Sequence, residues 1–332
     1  MSSHTLNPDA VSPGTDRWRQ VVTNPVVIAG ALALVLIGIG QAVSPGFAAP
    51  SQLVSLLRVA SFLGIIAIGQ TIVILSGGTG IDLSVGKMAT FAAVISSRFM
   101  QGEDSRLLAG VVIALVVCAA LGLVNGLGIR FLRIPPFVMT LGMLGVIQGL
   151  VLAYTGGVAD GRAAPILLWM VNGNLIGAIP GVVVIWVLLT IVVTFALRRT
   201  RQGWNLYAVG MNRETARLSG LKPTSTVLGA YVASAVFAGL GGILMVGYTE
   251  SVFLNLADAQ MLPSVAAVII GGTLIAGGVG SYLGTAVGAV VLTVLTSLLT
   301  TLDMSTPTRT AINGVVLLVL LALYGRQRRL RS

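Results

Sequence analysis

Asp82 is an acidic residue that lies between two long apolar runs, within the glycine-dense segment Gly77–Gly86. A charge at membrane depth costs roughly 3 kcal/mol on insertion scales, and glycine weakens a regular helix. One interpretation makes Asp82 the cap of a helix starting at Leu83, accepting from backbone N–H groups two or three residues on, with Ser84 supporting the same turn. The other places Asp82 on a substrate or gating path. We favour the cap, because an acid at a helix start ordinarily has a structural role.

Several polar residues also lie inside apolar runs. Gln70, Asn125, Thr140 and Gln148 could line a hydrophilic path or could form hydrogen bonds between helices. The glycines of the Asp82 segment could act as a hinge, because they interrupt regular structure. The hinge or pathway candidates are therefore Gly77, Gly78, Asp82, Ser84, Gly86, Gln70, Asn125, Thr140 and Gln148.

The residue types restrict what other chemistry the chain could do. The one cysteine, Cys118, lies inside an apolar run, and the one histidine, His4, lies in the polar N-terminal region. A histidine-based catalytic triad or a Cys/His metal site in the apolar part is therefore excluded. The sequence has no Gly-x-x-x-x-Gly-Lys-Ser/Thr phosphate loop, so the chain does not bind ATP through that motif. We predict no catalytic residue, metal or cofactor of its own.

Long apolar helices must position these residues. The chain of 332 residues is 55% hydrophobic and 9% charged, whereas soluble domains carry about 25% charged residues. We predict an all-α polytopic membrane protein with about ten transmembrane helices, since about 20 apolar residues cross a bilayer. The predicted spans are Val26–Val43, Leu53–Leu75, Leu83–Met100, Leu107–Ile129, Phe137–Thr155, Ile179–Leu197, Val227–Gly247, Pro263–Ala276, Tyr282–Leu302 and Thr310–Gly325. The apolar piece Ile166–Val171, within 156–178, is too short to cross and is expected to lie at the interface or dip into the membrane.

The positions of the charges predict the orientation. Ten crossings put both termini on one side, and 15 of the 20 Lys and Arg residues, Lys87 included, then fall on that side. The positive-inside rule makes it the cytoplasmic side. The net charge of +10 thus reflects topology and contact with anionic lipid rather than nucleic acid. The Asp82 segment would lie at the cytoplasmic end of two spans, where water or a partner would satisfy its backbone.

The predicted organisation has three parts. Residues 1–25 form a polar cytoplasmic tail, 26–325 form the transmembrane domain, and 326–332 form a basic cytoplasmic tail. The insertion 198–226 is the longest polar segment between spans. Within it, Asn212 is a good helix N-cap and Gly220 a good C-terminal glycine, so Glu214–Ser219 is predicted to form a short helix. So short a helix needs a docking surface, which is either its own subunit or a groove on a cytoplasmic partner.

Small residues recur four apart along several spans, a spacing that lets helices approach closely in lipid. The pairs and triplets are Gly122/Gly126, Gly145/Gly149 and Gly280/Gly284/Gly288. Packing within the subunit is the favoured interpretation, although Gly280–Gly288 could instead form a seam between subunits. An internal echo is also present, because Gly77-Gly78-Thr79 and Val85-Gly86 match Gly271-Gly272-Thr273 and Val279-Gly280 at a constant offset of 194 residues. It predicts paired cytoplasmic turns near a gate.

These residues carry a resemblance to a known family. The run Ile81–Gly86, Arg133–Phe137 followed by Thr140-Leu141-Gly142, and Tyr154–Gly157 are similar to the permease subunits of ribose-type sugar ABC importers. So are Ala208–Asn212 with Ala216–Gly220, and Gly271–Thr273 with Gly277-Gly278. The resemblance extends from about residue 55 to 300, in the family's order. It implies a ten-span permease of the bacterial inner membrane that imports a small polar solute, most often a monosaccharide.

The resemblance also implies partners. The permease would act as a dimer, homomeric or heteromeric, with ATP-binding cassette subunits in the cytoplasm and a periplasmic solute-binding protein. ATP would be bound by the partner subunit. The coupling helix seated in the ATPase would comprise Arg213, Glu214, Ala216, Arg217, Leu218, Ser219, Gly220 and Leu221.

Two other classes compete with this hypothesis. An ion- or proton-coupled secondary transporter usually keeps several ionisable residues inside its spans, whereas Asp82 is the acid near a span interior here, with Arg58 and Arg98 also inside the predicted limits. An intramembrane enzyme would need a nucleophile–base pair or paired carboxylates, which the spans lack. The permease is therefore the leading hypothesis.

Overall fold

A computed structural model describes residues 24–327 of the chain. It contains thirteen α-helices in this part, which we number in chain order: α1 Pro25–Val43, α2 Pro50–Leu75, α3 Val85–Met100, α4 Leu107–Phe131, α5 Pro136–Thr155, α6 Pro165–Asn172, α7 Gly181–Arg199, α8 Arg201–Met211, α9 Arg213–Leu218, α10 Pro223–Thr249, α11 Met261–Ile270, α12 Tyr282–Thr301 and α13 Thr306–Gln327. Short 3₁₀ turns cover Asp104–Arg106 and Asp258–Gln260, and strands β1 (Asn174–Ile176) and β2 (Ile179–Pro180) form a small antiparallel hairpin before α7. The predicted tails 1–25 and 326–332 lie outside the described residues, apart from 24–25 and 326–327.

The helix boundaries follow from local chemistry. Proline occupies the first turn of α1, α2, α5, α6 and α10, where its missing N–H is not needed. Asn24 caps α1 and Ser281 caps α12 through side-chain oxygens. Seven helices are long and apolar enough to cross a membrane: α1, α2, α4 with the preceding 3₁₀ turn, α5, α7, α10 and α12. The all-α polytopic class is confirmed, while the count of ten crossings and the side of the termini stay predictions.

Three of the predicted spans are not among these seven helices. Helix α3 has 16 residues and α11 has 10, which correspond to about 24 Å and 15 Å at 1.5 Å per residue and fall short of a bilayer's roughly 30 Å core. The predicted eighth span, Pro263–Ala276, was wrong at its end, because α11 stops at Ile270 and a turn begins at Gly271. Helix α13 has 22 residues but is not among the seven.

Helix α10 lies at the centre of the bundle and packs against α2, α3 and α4. Small residues allow these contacts, because Gly122 of α4 meets the backbone of Tyr231 and Gly242 of α10 meets the backbone of Ala89. Packing of Gly122 and Gly126 within the subunit is therefore confirmed. A buried hydrogen-bond chain links α7 to α12 and α2, since Trp186 Nε1 donates to Tyr282 Oη at 2.9 Å and Tyr282 Oη donates to Gly64 O at 2.9 Å.

The other two glycine motifs differ in how they pack. Gly280, Gly284 and Gly288 face Thr273, Gly271 and Ala267 of the same chain, so the alternative of a seam between subunits at these residues was wrong. Gly145 and Gly149 were expected to pack within the subunit, but no atom lies within 4 Å of the position a Cβ would take at either. The glycine face of α5 is therefore open within one chain.

The bundle has two distinguishable ends. At one end, which we call the α9 end, Pro25 of α1 contacts Gly272 and the turn after α2 contacts α8 and α9. At the opposite end the loops mesh through backbone hydrogen bonds, from Gly102 N to Arg162 O at 3.2 Å and from Ala163 N to Glu250 O at 3.3 Å. Both ends are thus fixed by contacts between segments far apart in sequence.

Candidate functional site

Asp82 is fully buried at the start of α3 and accepts three hydrogen bonds through its carboxylate. Ser84 donates through its backbone N at 3.0 Å and through Oγ at 2.5 Å, and Ser234 Oγ of α10 donates at 2.8 Å. With its donor and acceptor oriented to match the Asp82 backbone, the Gln70 side-chain amide of α2 donates to Asp82 O at 3.1 Å and accepts from Asp82 N at 3.2 Å. The predicted bond from the N–H two residues on is present, but Asp82 is not the helix cap, because α3 begins at Val85 rather than at Leu83 and Ser84 occupies its N-cap position.

The surroundings of Asp82 correct one expectation. Water or a partner was expected to satisfy this segment, whereas side chains of α2 and α10 satisfy it inside the protein. Ser234 lies eleven residues into α10, about 16 Å along that helix. Asp82 therefore lies well inside the bundle, and protein covers the break around it as a membrane environment requires, whereas Gly78 and Thr79 are exposed at the α9 end.

Two further candidates join the same cluster. Asn125 Nδ2 of α4 donates to Ser84 Oγ at 3.1 Å, and the Thr140 hydroxyl of α5 shares its proton between Pro136 O of its own helix at 2.9 Å and Ile81 O at 3.2 Å. Both side chains are buried. Gln148 is half-buried two turns further along α5, away from this cluster. Five of the polar candidates thus hold the α2–α3 connection in place, which supports the interpretation of hydrogen bonds between helices.

This network predicts a contrast between two substitutions of Asp82. Asp82→Ala would leave the N–H and two hydroxyl donors of Ser84 and Ser234 buried without an acceptor, at about 1–3 kcal/mol for each unmatched group. Asp82→Asn keeps an acceptor for Ser84 and can donate to Ser234. We expect Asp82→Ala to lower the thermal unfolding midpoint in detergent by several degrees and Asp82→Asn to change it little. Equal midpoints for wild type and Asp82→Ala would contradict the assigned network.

The two glycine turns of the internal echo meet at the α9 end. Gly277 packs directly on Gly77, and Gly278 N donates to Leu75 O at 3.0 Å. Gly277 has φ +91°, a conformation that favours glycine. Gly210, near the end of α8, packs on the Leu75 carbonyl and on Gly278. The two turns are thus paired in space and α8 joins them, while their cytoplasmic side and their role near a gate stay predictions.

Helix α9 begins beside this junction. Asn212 Oδ1 accepts from Glu214 N and Thr215 N, both at 3.0 Å, and Gly220 has φ +80° after the helix, so the predicted cap and stop are confirmed. Arg213 Nη2 donates to Gly77 O at 3.1 Å. The helix is thereby tied to the turn that ends α2.

One face of α9 is buried and the other is open. Ala216 packs against its own subunit, whereas Leu218 is 78% exposed. Met211 and Trp204 of α8 are also exposed, which adds apolar area beside α9. Arg217 pairs with Glu214 on the open face, and its hydrogen bond and charge lower the pKa of the Glu214 carboxyl. A group of exposed apolar residues rimmed by charged groups, rather than a single one, is typical of a protein-binding surface.

A cavity of about 600 Å³ opens at the end opposite α9. Its walls come from the starts of α2 and α13, the 3₁₀ turn before α11, and the last three turns of α12. Polar residues in the walls are Gln52, Ser55, Asp258, Gln260, Thr293, Thr296, Ser297, Thr300, Thr306, Arg309, Thr310 and Asn313. The sequence interpretation missed all of them, and its own polar candidates do not line this cavity. A readable signal existed on α12, where Thr293, Thr296, Ser297 and Thr300 recur at helical spacing.

The cavity ends on an apolar floor. Leu63, Ala266 and Leu292 line it and belong to a buried cluster that also contains Ile74 and Ile270. Ile270 directly precedes Gly271, and Ile74 lies three residues before Gly77, so both stand next to the two glycine turns. A closed apolar layer about 16 Å deep, the length of Leu63–Ile74 on α2, therefore separates the cavity from the α9 end.

Lys87 forms an ion pair beside the cavity. Its Nζ lies 2.5 Å from Asp258 Oδ2, with side-chain exposures of 12% and 32%. Thr90 Oγ1 donates to Asp258 Oδ1 at 3.3 Å and accepts from Ala257 N at 3.0 Å. Lys87 was counted among the cytoplasmic basic residues, but this interior position makes that assignment wrong. The pair ties α3, and hence the Asp82 network, to the turn that forms one cavity wall.

Among the described side chains, no group of three or more His, Cys, Asp or Glu residues lies close enough together to hold a metal ion. The site thus consists of neutral polar groups, one tied ion pair and Arg309 in the cavity, with an apolar layer beneath. Such an arrangement can bind and pass a polar solute, provided that the apolar layer opens.

Comparisons with known proteins show what this chain is similar to. A sequence model of the family described as "Branched-chain amino acid transport system / permease component" matches residues 52–321. The ribose import permease protein RbsC of Escherichia coli (strain K12) is 33% identical over 290 residues, covering 86% of this chain and 89% of that protein. The fructose import permease protein FruF of Bifidobacterium longum (strain NCC 2705) is 33% identical over 281 residues, covering 83% and 77%. The galactose/methyl galactoside import permease protein MglC of Escherichia coli (strain K12) is 30% identical over 315 residues, covering 87% and 91%.

No solved structure matches the chain significantly. The family match covers most of the chain and includes the Asp82 segment, both glycine turns and α9. The ribose-type resemblance read from the short motifs agrees with the named relatives. The chain therefore belongs to this permease family, as a sugar permease of the ABC importer type.

Proposed function

We propose that this chain is the membrane permease subunit of a bacterial inner-membrane importer that carries a monosaccharide, driven by ATP hydrolysis in a separate subunit. The named relatives import ribose, fructose or galactose, which supports a monosaccharide. The observation that carries the proposal is the link from α9 to the α2 turn, formed by Arg213 Nη2 and Gly77 O at 3.1 Å. Through it, a force applied to α9 would reach the helices that close the path.

The coupling surface would consist of the exposed face of α9 with its neighbours on α8. Leu218 is its apolar anchor, because it is exposed and has no partner in its own chain that buries it. The residues assigned to coupling are Arg213, Glu214, Ala216, Arg217, Leu218, Ser219, Gly220 and Leu221. Ala216 would be the residue that keeps the helix seated on its own subunit. The α9 end is then the cytoplasmic end.

The solute path would run from the cavity through the apolar layer to the glycine turns. Cassette closure would move α9 and, with it, Gly77 and the Gly277 turn packed on it. Because Ile74 and Ile270 precede these turns, their movement would separate the two halves of the layer. The glycines Gly77, Gly78 and Gly86 are the hinge positions of this proposal, with Gln70, Ser84, Asn125 and Thr140 holding Asp82 between them.

The remaining partners follow from the exposed surfaces. A periplasmic solute-binding protein would dock at the end opposite α9, where the cavity opens. A second permease copy, identical or homologous, would complete a dimer, since the glycine face of α5 is open within one chain and small residues favour close helix contact in lipid. Membrane lipid would cover the other apolar faces.

The source of energy tests this proposal. Cells that express the complete importer are loaded with radiolabelled ribose, fructose or galactose and treated either with arsenate, which depletes ATP, or with a protonophore in the presence of ATP. We expect uptake to stop with ATP depletion and to persist when only the proton gradient is lost. The reverse pattern would support a proton-coupled secondary transporter instead.

A further inference from the structure

The outer cavity has one wall on which hydrogen-bonding groups are concentrated. Thr293, Thr296, Ser297 and Thr300 line the cavity from α12, and their spacing of three, one and three residues places them on one helical face. Thr293 and Thr300 donate to backbone carbonyls of α12 at 2.9 and 2.8 Å, which leaves their lone pairs as acceptors. Helix α12 therefore presents a row of hydroxyls to the cavity.

Two residues of α13 face the same cavity one helical turn apart. Arg309 donates through Nη1 to Thr300 Oγ1 at 2.6 Å and through Nη2 to Thr306 Oγ1 at 2.9 Å. Its Nε is buried without a hydrogen-bond partner, and so is Asn313 Oδ1. A buried group left unmatched costs about 1–3 kcal/mol. One unmatched donor and one unmatched acceptor thus lie beside a cavity that a solute can enter.

The charges beside the cavity limit the class of that solute. Asp258 is the acidic residue in the wall and is already paired with Lys87. Arg309 is the basic residue in the wall, and its guanidinium contacts hydroxyls rather than a carboxylate. A carboxylate ligand can only accept and an ammonium can only donate, whereas a hydroxyl does both. A hydroxyl-bearing molecule can therefore satisfy both the Arg309 Nε and the Asn313 Oδ1 groups, and a monosaccharide is a molecule of this kind.

Resting on the proposed function, we infer that Arg309 and Asn313, with the hydroxyls of Thr293, Thr296, Ser297 and Thr300, form a solute contact site in the outer cavity for a neutral, hydroxyl-rich molecule. Asn313 can turn its amide toward the solute without breaking a side-chain hydrogen bond at its oxygen. The apolar floor at Leu63, Ala266 and Leu292 supplies the other surface, as in sugar-sized pockets that combine apolar walls with few polar groups.

Near-isosteric substitutions test the site. Asn313→Leu and Thr296→Val remove hydrogen bonding while keeping size. We expect each to lower the maximal rate of ATP-dependent uptake of a radiolabelled monosaccharide at least tenfold, with unchanged membrane insertion and unchanged co-purification of the ATPase. Thr194→Val on α7 is the matched control, because Thr194 Oγ1 is also buried without a partner but lies away from the cavity. The control should transport at the wild-type rate.

A second measurement covers variants that insert poorly. Thr296→Cys, in a Cys118→Ser background, is treated from the periplasmic side with a membrane-impermeant methanethiosulfonate. We expect the reagent to block uptake, and Thr194→Cys to remain insensitive. Wild-type uptake rates in both Asn313→Leu and Thr296→Val, or no block at Thr296→Cys, would overturn the contact site while leaving the permease function intact. Absence of ATP-dependent uptake by the unaltered chain would overturn the proposed function, and this inference with it.

Discussion

Leu218→Asp is expected to abolish uptake and to separate the permease from its ATPase. Leu218 is the exposed apolar residue of α9, and removing such an anchor from a protein interface typically costs 2 kcal/mol or more, about a 30-fold loss of affinity. A charge at this position adds the cost of burying it in the interface. Co-purification of the ATPase from detergent-solubilised membranes, together with uptake, measures the effect.

Two further variants test whether the loss of uptake and of ATPase binding comes from the surface of α9. Leu218→Met keeps an apolar side chain of similar volume, so it should retain both ATPase binding and uptake. Glu214→Arg places two positive side chains at i and i+3 and removes the pair with Arg217, so it should weaken ATPase binding in the same direction as Leu218→Asp. Normal ATPase co-purification with both Leu218→Asp and Glu214→Arg would refute the assignment of α9 as the coupling helix.

Gly210→Ala is expected to lower uptake at least tenfold although the added group is one methyl. A Cβ at this position would overlap the Leu75 carbonyl oxygen and lie 2.6 Å from Gly278 N. Because both are backbone atoms, the helix end must shift, and such overpacking costs about 1–3 kcal/mol. The shift would separate α8 from the paired glycine turns. Uptake and the unfolding midpoint of the purified complex measure both consequences.

Gly229→Ala is the matched control for this substitution. Gly229 lies within α10, and no atom lies within 4 Å of its Cβ position. Alanine favours helix over glycine by about 1 kcal/mol, so Gly229→Ala should leave uptake unchanged and keep or raise the unfolding midpoint. Equal behaviour of the Gly210 and Gly229 variants would show that the junction between α8 and the turns does not matter for transport.

The features predicted well from the sequence are those that neighbouring residues determine. The Asn212 cap and the Gly220 stop of α9 depend on atoms within a few residues, and both occur as expected. The boundaries of the long spans also agree, because apolar length and the prolines at helix starts determine them. Helix α8 was not predicted, since its sequence mixes basic, polar and aromatic residues and it forms against α2 and the glycine turns.

The features predicted poorly depend on distant contacts. Asp82 was predicted as a helix cap, whereas its carboxylate accepts from Ser84 just before the helix and from Ser234, which lies 152 residues away. The same applies to Lys87, whose partner Asp258 lies 171 residues away. Glycines with the same spacing contact other helices of the chain at Gly280–Gly288 but have no neighbour at Gly145 and Gly149. The spacing indicates that a helix can approach closely, but it does not determine which helix does so. The hydroxyl row of α12 is readable from its helical period, but its place in a cavity depends on α2, α11 and α13, which are distant in sequence.

Cross-linking from α9 tests the central claim, that a separate ATPase acts on this chain through the α9 end. The importer is expressed with Leu218→Cys in a Cys118→Ser background and treated with a thiol-directed photo-cross-linker, with Asp160→Cys at the opposite end as the control. We predict a covalent product between the Leu218→Cys chain and the ATPase, and none from Asp160→Cys. A cross-link to the ATPase from Asp160→Cys would contradict the account. So would the absence of a cross-link from Leu218→Cys in a complex that co-purifies intact.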